Sequence, residues 1–555
     1  MTPDTTTDPA WARDAAGIQQ HVFAYRRSVD QDLAERGRPA RRPVVVVGAG
    51  PVGLSLAIDL AQRGQAVVVL DNDNRLSSGS RAICFAKRTL EIWDRLGVGD
   101  AMCAKGVGWN RGRVFFGRDE VYAFDLLPEP GHERPAFINL QQFYAEAWLV
   151  RRALELPALE IRWCNTVDSV AEQPSGVRLG ITTPEGRYEL DADWLVACDG
   201  SRSPIRAILG LQAQGQVFRD RFLIADVRIA DAAFPAERWF WFDPPFHPGY
   251  SVLLHRQPDD VWRIDFQLGW DADPEVERQP DAIRPRVQAM LLMALGRELP
   301  FELEWASVYT FACQRMERFR HGRVLFAGDA AHGVSPFGAR GANSGVQDAD
   351  NLAWKLAAVL RGDAPDALID SYASEREAAA DENILNSTRS TDFITPKSEI
   401  SRLFRDATLA LARDHAFARR LVNSGRLSLP STHGDSPLNT PDEPGDGFSG
   451  GSGPGAPCVD APLAGPGAPW LLRRTSVQGF TLLSFGADAA AWAVEGLEVV
   501  ELPASGPAAE RHDARPGTAV LLRPDQHVCA RWRRPTAAAV RRAMLRALGR
   551  PALID

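Results

Sequence analysis

Lysine is nearly missing from this chain. Lys87, Lys105, Lys355 and Lys397 are the four in 555 residues, and arginine carries almost all the positive charge. Any chemistry that needs a lysine therefore has four positions to draw on. The seven cysteines (Cys84, Cys103, Cys164, Cys198, Cys313, Cys458, Cys529) include no CxxC and no Cys/His spacing. Neither a zinc site nor a disulfide framework is implied, which suits a reducing cytoplasm. There is no excess of positive charge; the net charge is −8, so no basic surface points to nucleic acid. A run of about eighteen apolar residues is absent, as is the apolar core of a signal peptide in the first thirty residues. The expectation is a soluble cytoplasmic protein with no metal and no membrane or nucleic-acid partner. With 45% hydrophobic residues, a chain of 555 can bury cores for two to four domains.

The first chemistry-bearing pattern begins at Val44, Val45, Val46 and Val47, a β-branched run that predicts a buried parallel strand. Gly48-Ala49-Gly50-Pro51-Val52-Gly53 follows, and Leu54, Leu56, Ala57, Leu60 and Ala61 keep helical spacing up to Gly64. A second strand over 66–70 ends on Asp71, next to Asn72. This is GxGxxG between strand and helix, with an acid about twenty residues on. Gly48 permits the turn, Gly50 lets the backbone approach a pyrophosphate, and Gly53 lets the helix pack on the strand. Asp71 is placed to hold ribose hydroxyls. A dinucleotide site is expected here.

Two later segments repeat the strand–glycine–helix grammar. An apolar strand runs from Asp193 into Asp199-Gly200 and a polar turn. Farther on, Val324, Leu325 and Phe326 lead into Gly328-Asp329-Ala330-Ala331-His332 and then a loop over 335–345 rich in glycine. Val346, Ala349, Leu352, Ala353 and Leu356 keep helical spacing after it. Such a loop aims backbone N–H groups and the positive end of a helix dipole at one point.

GDAAH followed by SPFGARGANSGVQDADNLAWKL resembles the flavin-contacting segment of the single-component FAD-dependent aromatic hydroxylases, the class A flavoprotein monooxygenases. The likeness is greatest to the branch of 3-(3-hydroxyphenyl)propionate hydroxylase and phenol hydroxylase. The resemblance implies that Asp329, after Gly328, bonds the ribityl chain of FAD. It implies that 336–345 lies along the isoalloxazine, with Pro336, Gly341, Ala342 and Asn343 as contacts and Pro336, Gly338 and Arg340 nearest the chemistry. Gly48, Gly50, Pro51, Val52, Gly53, Asp71 and Asn72 complete the cofactor set, with Arg81 reaching the phosphates. Gln142 stands near the flavin, with Gln141 as the competing register, and Asp199 and Gly200 form the DG motif.

Between 222 and 269 the period changes to two, with Trp262, Ile264, Phe266 and Leu268 alternating with Arg263, Asp265 and Gln267. This predicts a half-buried antiparallel sheet. In the family such a sheet roofs the flavin, which makes Phe240, His255, Arg256, Arg263 and Gln267 substrate candidates and sets Trp239, Phe240, Trp241, Phe246, Trp262 and Phe266 over the ring.

The chain reads as helical from Leu360 to about 421, and 439–467 reads as a linker dense in Gly, Pro and Asp. Strands at 480–485, 497–502, 519–523 and 527–532 and a helix over 537–548 follow. Arg523-Pro524-Asp525 before a strand ending in Arg531 resembles the thioredoxin-like tail of phenol-hydroxylase relatives; without CxxC, packing or homodimerisation is its expected role. The fold class is thus α/β. An N-terminal extension covers 1–42 and a Rossmann-like FAD-binding domain 43–395, with an antiparallel substrate sheet inserted at about 216–307. A helical segment and linker cover 396–450, and a thioredoxin-like domain 451–555.

The implied reaction is hydroxylation of a phenolic aromatic compound, such as a hydroxyphenyl-carboxylic acid, by noncovalently held FAD, NADH or NADPH, and O2 through a C4a-hydroperoxyflavin. The alternatives are a reductase or dehydrogenase on the same fold, or a flavin-holding protein without turnover. A flavin-dependent halogenase is disfavoured, because Trp239-Phe240-Trp241-Phe242-Asp243-Pro244 has Asp where its motif has Ile, and none of the four lysines stands in a halogenase-like context.

Overall fold

The computed structural model of the protein describes residues 9–218, 220–229, 234–422, 429–464, 470–487, 492 and 494–551. The valine run is the end of a longer strand, Ala40–Val47, whose last four residues are all buried. It pairs in parallel with Val67–Leu70 on one side and Gly186–Ala197 on the other, and Val324–Phe326 extends the sheet beyond the latter. Leu159–Arg162 closes the far side. Register sets Val47 beside both Leu70 and Ala197, and Ala197 beside Phe326. The carboxyl ends of these strands therefore open at one edge, where α/β sheets bind ligands. Helix Pro51–Gln62 leaves that edge, and Gly341–Leu360 packs on it. Gly345 permits the contact, because a Cβ there would stand 2.5 Å from Val52 Cγ2.

The second sheet has seven strands, in the order Glu302–Tyr309, Arg221–Arg228, Val261–Leu268, Ser251–Arg256, Arg238–Phe242, Arg111–Phe116, Asp119–Asp125. The hairpin at 111–125 was not anticipated; it is far away in sequence and joins through a parallel pairing with Arg238–Phe242. All eight residues of Val261–Leu268 are buried, so the sheet is not half solvated. Trp241, Trp262, Ile264 and Phe266 pack in one core with Ile283, Val287 and Met290 of helix Pro280–Leu295, and Trp239 and Phe246 lie against the same core. Each such fully buried side chain contributes about 1.5–3 kcal/mol. The expectation that these aromatics roof the ring is thereby corrected: of the six, Phe240 alone lies on the opposite face, the one that carries Arg263 and Asp265. The period-two pattern separates the faces but not which of them meets a helix.

The N-terminal extension carries two short helices, Ala15–Gln20 and Val29–Glu35. Between them Phe23 stacks on Trp163 at 4.4 Å, and its N–H donates to the Asn74 carbonyl. Asp30 is buried between Arg42 and Arg162. Residues 1–8 of the extension lie outside the described residues. The predicted helical stretch toward 421 is Leu368–Ile394, Glu399–Ala412 and Ala416–Arg419, broken where Pro396 follows the first and Ser398 caps the second.

The C-terminal strands Phe480–Phe485, Leu497–Leu502, Ala519–Leu522 and Val528–Trp532 form one sheet. The segment read as a flexible linker is packed coil over its described part. Thr440 N–H donates to the Cys529 carbonyl and Gly455 N–H to that of Val528, Arg531 pairs with Asp442, and Cys458, Asp460 and Ala461 are buried. Residues 465–467 of that stretch are outside the described residues. Glycine, proline and aspartate prevent regular structure there, but side-chain and backbone bonds replace it. The unit docks through a buried charge cluster. Glu375 accepts from Lys355 and from Arg523, both at 2.7 Å, and Asp525 accepts from Arg523 at 2.6 Å and from Trp354 Nε1 at 3.0 Å. Burial alone would raise the Glu375 carboxyl, yet Arg523 and Lys355 hold it well below the usual range.

Candidate active site

The loops at the open edge of the parallel sheet line one continuous cavity of about 1030 Å³, at the upper end of the range for ligand pockets, about 300–1,000 Å³. Its walls take Gly48, Gly50, Pro51 and Val52 from the first loop, Asp71 and Asn72 from the second, Asp199 and Gly200 from the third, and Asp329 with 331–337 and 339–343 from the fourth. The cavity continues under the second sheet to Arg238, His255, Arg263, Asp265 and Tyr309.

The three glycines of GxGxxG do different work. A Cβ on Gly48 would stand 2.4 Å from the Cys198 carbonyl oxygen, and one on Gly53 would stand 2.0 Å from that of Gly48. Those two serve the fold. Nothing lies within 4 Å of a Cβ on Gly50, which caps helix Pro51–Gln62 and faces the cavity. It leaves an open cradle at a helix N-terminus, the geometry that receives a pyrophosphate.

Around this cradle several polar groups lack protein partners. Asp199 Oδ2 accepts from Ile205 N–H at 3.0 Å, but Oδ1 is buried without a partner among the described residues. Asp329 makes no hydrogen bond to the protein among the described residues. Its carboxylate is open to the cavity interior yet enclosed by protein, and this burial raises its pKa against the pull of His332. Arg81 lines the cavity with an exposed guanidinium that bonds no protein group among the described residues. Asp71 is partly engaged: its oxygens accept from Ala49 N–H at 2.6 Å and Asp73 N–H at 2.9 Å. An acceptor beside the cradle, two carboxylates with free oxygens and one free guanidinium fit the hydroxyls and phosphates of FAD.

Other expected residues act on the walls. Gln142 Oε1 accepts from Ala82 N–H and its Nε2 donates to Glu146, so it props the segment that carries Arg81. Gln142 faces the cavity, whereas Gln141 donates to the Pro258 carbonyl. The Asn343 side chain is consumed locally, its oxygen accepting from Ala86 N–H and Thr89 and its nitrogen donating to the carbonyls of Cys84 and Ala339. Helix Gly341–Leu360 starts four residues before the position near Gly345 that its apolar spacing suggests, so its first turn, Gly341, Ala342 and Asn343, lines the cavity. Behind this loop, Asp348 accepts from Gly328 N–H, His332 and Arg376. Pro336 and Arg340 line the cavity and Gly338 does not; the Arg340 guanidinium donates to Asn383 at 2.9 Å. Gly328 lies behind Asp329, held by Asp348.

Of the substrate candidates, His255 and Arg263 line the cavity. Phe240 does not line it but stacks with Phe242 at 4.6 Å in the core shared with the lining residues Phe311 and Phe337, and Gln267 Oε1 accepts from Ser251 N–H. Arg256 lies over the Trp262 ring. Missed by sequence reasoning were Arg238, Asp265 and Tyr309. Arg238 stands two residues before Phe240, so alternation puts both on one face; what was lacking was the register that sets Arg238 beside His255.

A dinucleotide cradle at the strand ends of a parallel sheet, opening beneath a second sheet, defines an FAD-binding α/β flavoprotein. The model of the FAD binding domain family matches residues 41–387. The 12-dehydrotetracycline 5-monooxygenase/anhydrotetracycline 6-monooxygenase of Streptomyces rimosus is 31% identical over 510 residues, covering 88% of this chain and 95% of its own. The 3-(3-hydroxy-phenyl)propionate/3-hydroxycinnamic acid hydroxylase of Escherichia coli is 31% identical over 368 residues, 65% of this chain and 64% of its own. Among solved structures, the flavin-dependent monooxygenase PieE, in complex with FAD and substrate, superposes with a TM-score of 0.76 at 24% identity, over 92% of this chain and 99% of its own. The chain belongs to this family, the class A FAD-dependent aromatic monooxygenases. Among the described residues, no helix is long and apolar enough to cross a membrane.

Proposed function

We propose that the protein hydroxylates the ring of a phenolic compound, using NADH or NADPH and O2. One observation carries this: a single cavity joins the cofactor cradle to a buried row of Arg238, His255 and Arg263. Bound FAD supplies the electron transfer from the nicotinamide and the activation of oxygen. The chain's residues bind, orient and keep water out. Gly50 and the N-terminus of Pro51–Gln62 receive the pyrophosphate, Arg81 adds a counter-charge, and Asp329 and Asp199 take hydroxyl or ring N–H donors. Backbone N–H groups at Gly341–Asn343 offer partial positive charge where negative charge develops. Phe337, Phe311 and Leu253 give the substrate end a largely apolar wall that favours a dry site.

Within that class a fused-ring phenol is favoured over a single-ring hydroxyphenyl-carboxylic acid. The relative named for tetracycline substrates is covered along 95% of its length, and the hydroxyphenylpropionate hydroxylase along 64%. We also read the C-terminal unit as thioredoxin-like. A parallel first pair, Phe480–Phe485 with Leu497–Leu502, and an antiparallel return through Ala519–Leu522 to Val528–Trp532 support this. With no CxxC its role is structural.

The test is turnover under isotopically labelled O2 with single-ring and fused-ring phenols, followed by mass analysis of product. One labelled oxygen entering the ring beside or opposite the existing hydroxyl is expected. Label found only in hydrogen peroxide across the panel would favour a reductase or oxidase.

A further inference from the structure

Residues 9–39 lie ahead of the first strand of the parallel sheet and outside the region, 41–387, that the family model matches. The cofactor motifs therefore give them no task. They are nonetheless anchored at one particular place, the back of the cavity's nucleotide end. The layout of the cavity identifies that end. The loop over 329–343 takes the flavin and Gly50 the pyrophosphate, which leaves Asp71, Asn72 and 165–167 as walls for the adenosine.

Asp71 is gripped from behind. Its N–H donates to the Arg162 carbonyl at 3.0 Å, and its own carbonyl accepts from Asn165 N–H at 2.8 Å. Cys164 N–H donates to the Asp73 carbonyl at 3.2 Å. Segment 162–165 therefore sets where Asp71 stands. It does so from an unfavourable backbone: Cys164 has φ +57°, the left-handed region that a residue with a side chain keeps only where its surroundings hold it there.

The extension supplies that hold. Arg162 Nη2 donates to Asp30 Oδ2 at 2.7 Å, and the buried Asp30 is fixed in turn by Arg42 through bonds of 2.6 and 2.9 Å. Trp163 stacks on Phe23, with ring centroids 4.4 Å apart and planes 12° from parallel. Trp11 and His21 meet the Phe23 ring edge-on at 5.3 and 4.5 Å, so the ring is seated within the extension itself. The Phe23 N–H crosses to the other flank and donates to the Asn74 carbonyl at 2.9 Å, in the loop that carries Asp71 and Asn72. One short segment thus ties together two loops, 71–74 and 162–165, that follow strands far apart in sequence.

We propose that the N-terminal extension is a clamp on the nucleotide end of the cofactor site, with Phe23 and Asp30 as positioning residues that hold Asp71 and Asn165 for the adenosine half of FAD. Both act through other residues, since neither lines the cavity. Every flavin reaction of this site needs the same cofactor, so the clamp is independent of the hydroxylation reading.

The experiment compares the full chain with Phe23→Leu, Phe23→Tyr and Asp30→Asn. The apo-proteins are titrated with FAD by flavin fluorescence quenching, and the FAD-saturated proteins are followed by hydrogen–deuterium exchange. Phe23→Leu should bind FAD about two- to tenfold more weakly, the span of one aromatic pair. Phe23→Tyr, which keeps the stack, should bind as wild type does. In saturated Phe23→Leu the amides of 71–74 and 162–167 should exchange faster, while those of 328–345 at the flavin end stay as protected as in wild type. Asp30→Asn removes the charge that Arg42 and Arg162 share and should reproduce this pattern; if it fails to fold, the Phe23 pair decides alone. Wild-type FAD affinity in Phe23→Leu overturns the proposal, as does equal weakening in Phe23→Tyr. Faster exchange spread equally over the flavin end overturns it too, because the extension would then brace the whole fold and not the adenosine end.

Discussion

Gly50→Val separates the cofactor from the fold. Gly50 has φ −78° and ψ −179°, extended backbone that any residue adopts, and open space where its side chain would point. Valine there should leave the apo-protein folded, at a cost of about 1 kcal/mol for a poorer helix cap. It should remove the close approach of a phosphate to the helix N-terminus. A hydrogen bond to a charged group contributes about 1.5–3 kcal/mol and the helix end about 0.3–1 kcal/mol more. A loss of about 2–4 kcal/mol corresponds to roughly thirty- to thousandfold weaker FAD binding. Gly53→Ala is the control with the opposite outcome: its Cβ meets the Gly48 carbonyl oxygen at 2.0 Å, so the apo-protein itself should lose stability. Flavin fluorescence quenching gives the affinities, and thermal unfolding of the apo-proteins gives the stabilities. Wild-type FAD affinity in Gly50→Val, or an apo Gly53→Ala as stable as wild type, would refute this division of labour.

Asp329→Asn should weaken FAD binding by about 1.5–3 kcal/mol yet raise the unfolding temperature of the apo-protein, because the enclosed carboxylate has no protein partner to lose; a drop in apo stability would contradict this. Asp226 is buried with its pKa raised to about 6, by burial and against the pull of Arg263. An acid raised in the folded state destabilises it when ionised, so its cost is absent below about pH 4 and fully present above about pH 6, reaching about 3 kcal/mol. Asp226→Asn keeps the acceptor for Ser80 and Gln257; its stability advantage over wild type should grow from pH 4 to pH 7, and a difference independent of pH would count against the assignment. Arg523→Met leaves Glu375 and Asp525 short of their main partner and should cost about 3–5 kcal/mol, read as a lower unfolding temperature with flavin content unchanged at saturating FAD. Ending the chain near Pro437 removes that same arginine and uncovers Trp354 and Leu368, so FAD retention with unimpaired thermal stability would show the docking cluster to be unimportant.

The cofactor half of the site could be read in the sequence because its signals are local. Val44 to Gly53 specify strand, turn and helix through β-branching, a turn glycine and 3.6-residue spacing, and Asp199-Gly200 and Gly328-Asp329 repeat the pattern. Each loop must face the ligand whatever surrounds it, since a parallel strand ends where its helix begins. The substrate half was decided by tertiary structure. Alternation in 261–268 separates Trp262 and Phe266 from Arg263 and Asp265, but both faces proved buried, and helix Pro280–Leu295 took the aromatic one. Which charges then share a row depends on pairing between strands distant in sequence, and a slip of one residue would have turned Arg238 away from His255. The same holds for Arg523 and Glu375, 148 residues apart. Composition alone marks 439–467 as a loose tether; the structure shows its described part bonded into the C-terminal sheet, because backbone groups without regular structure still require partners once buried.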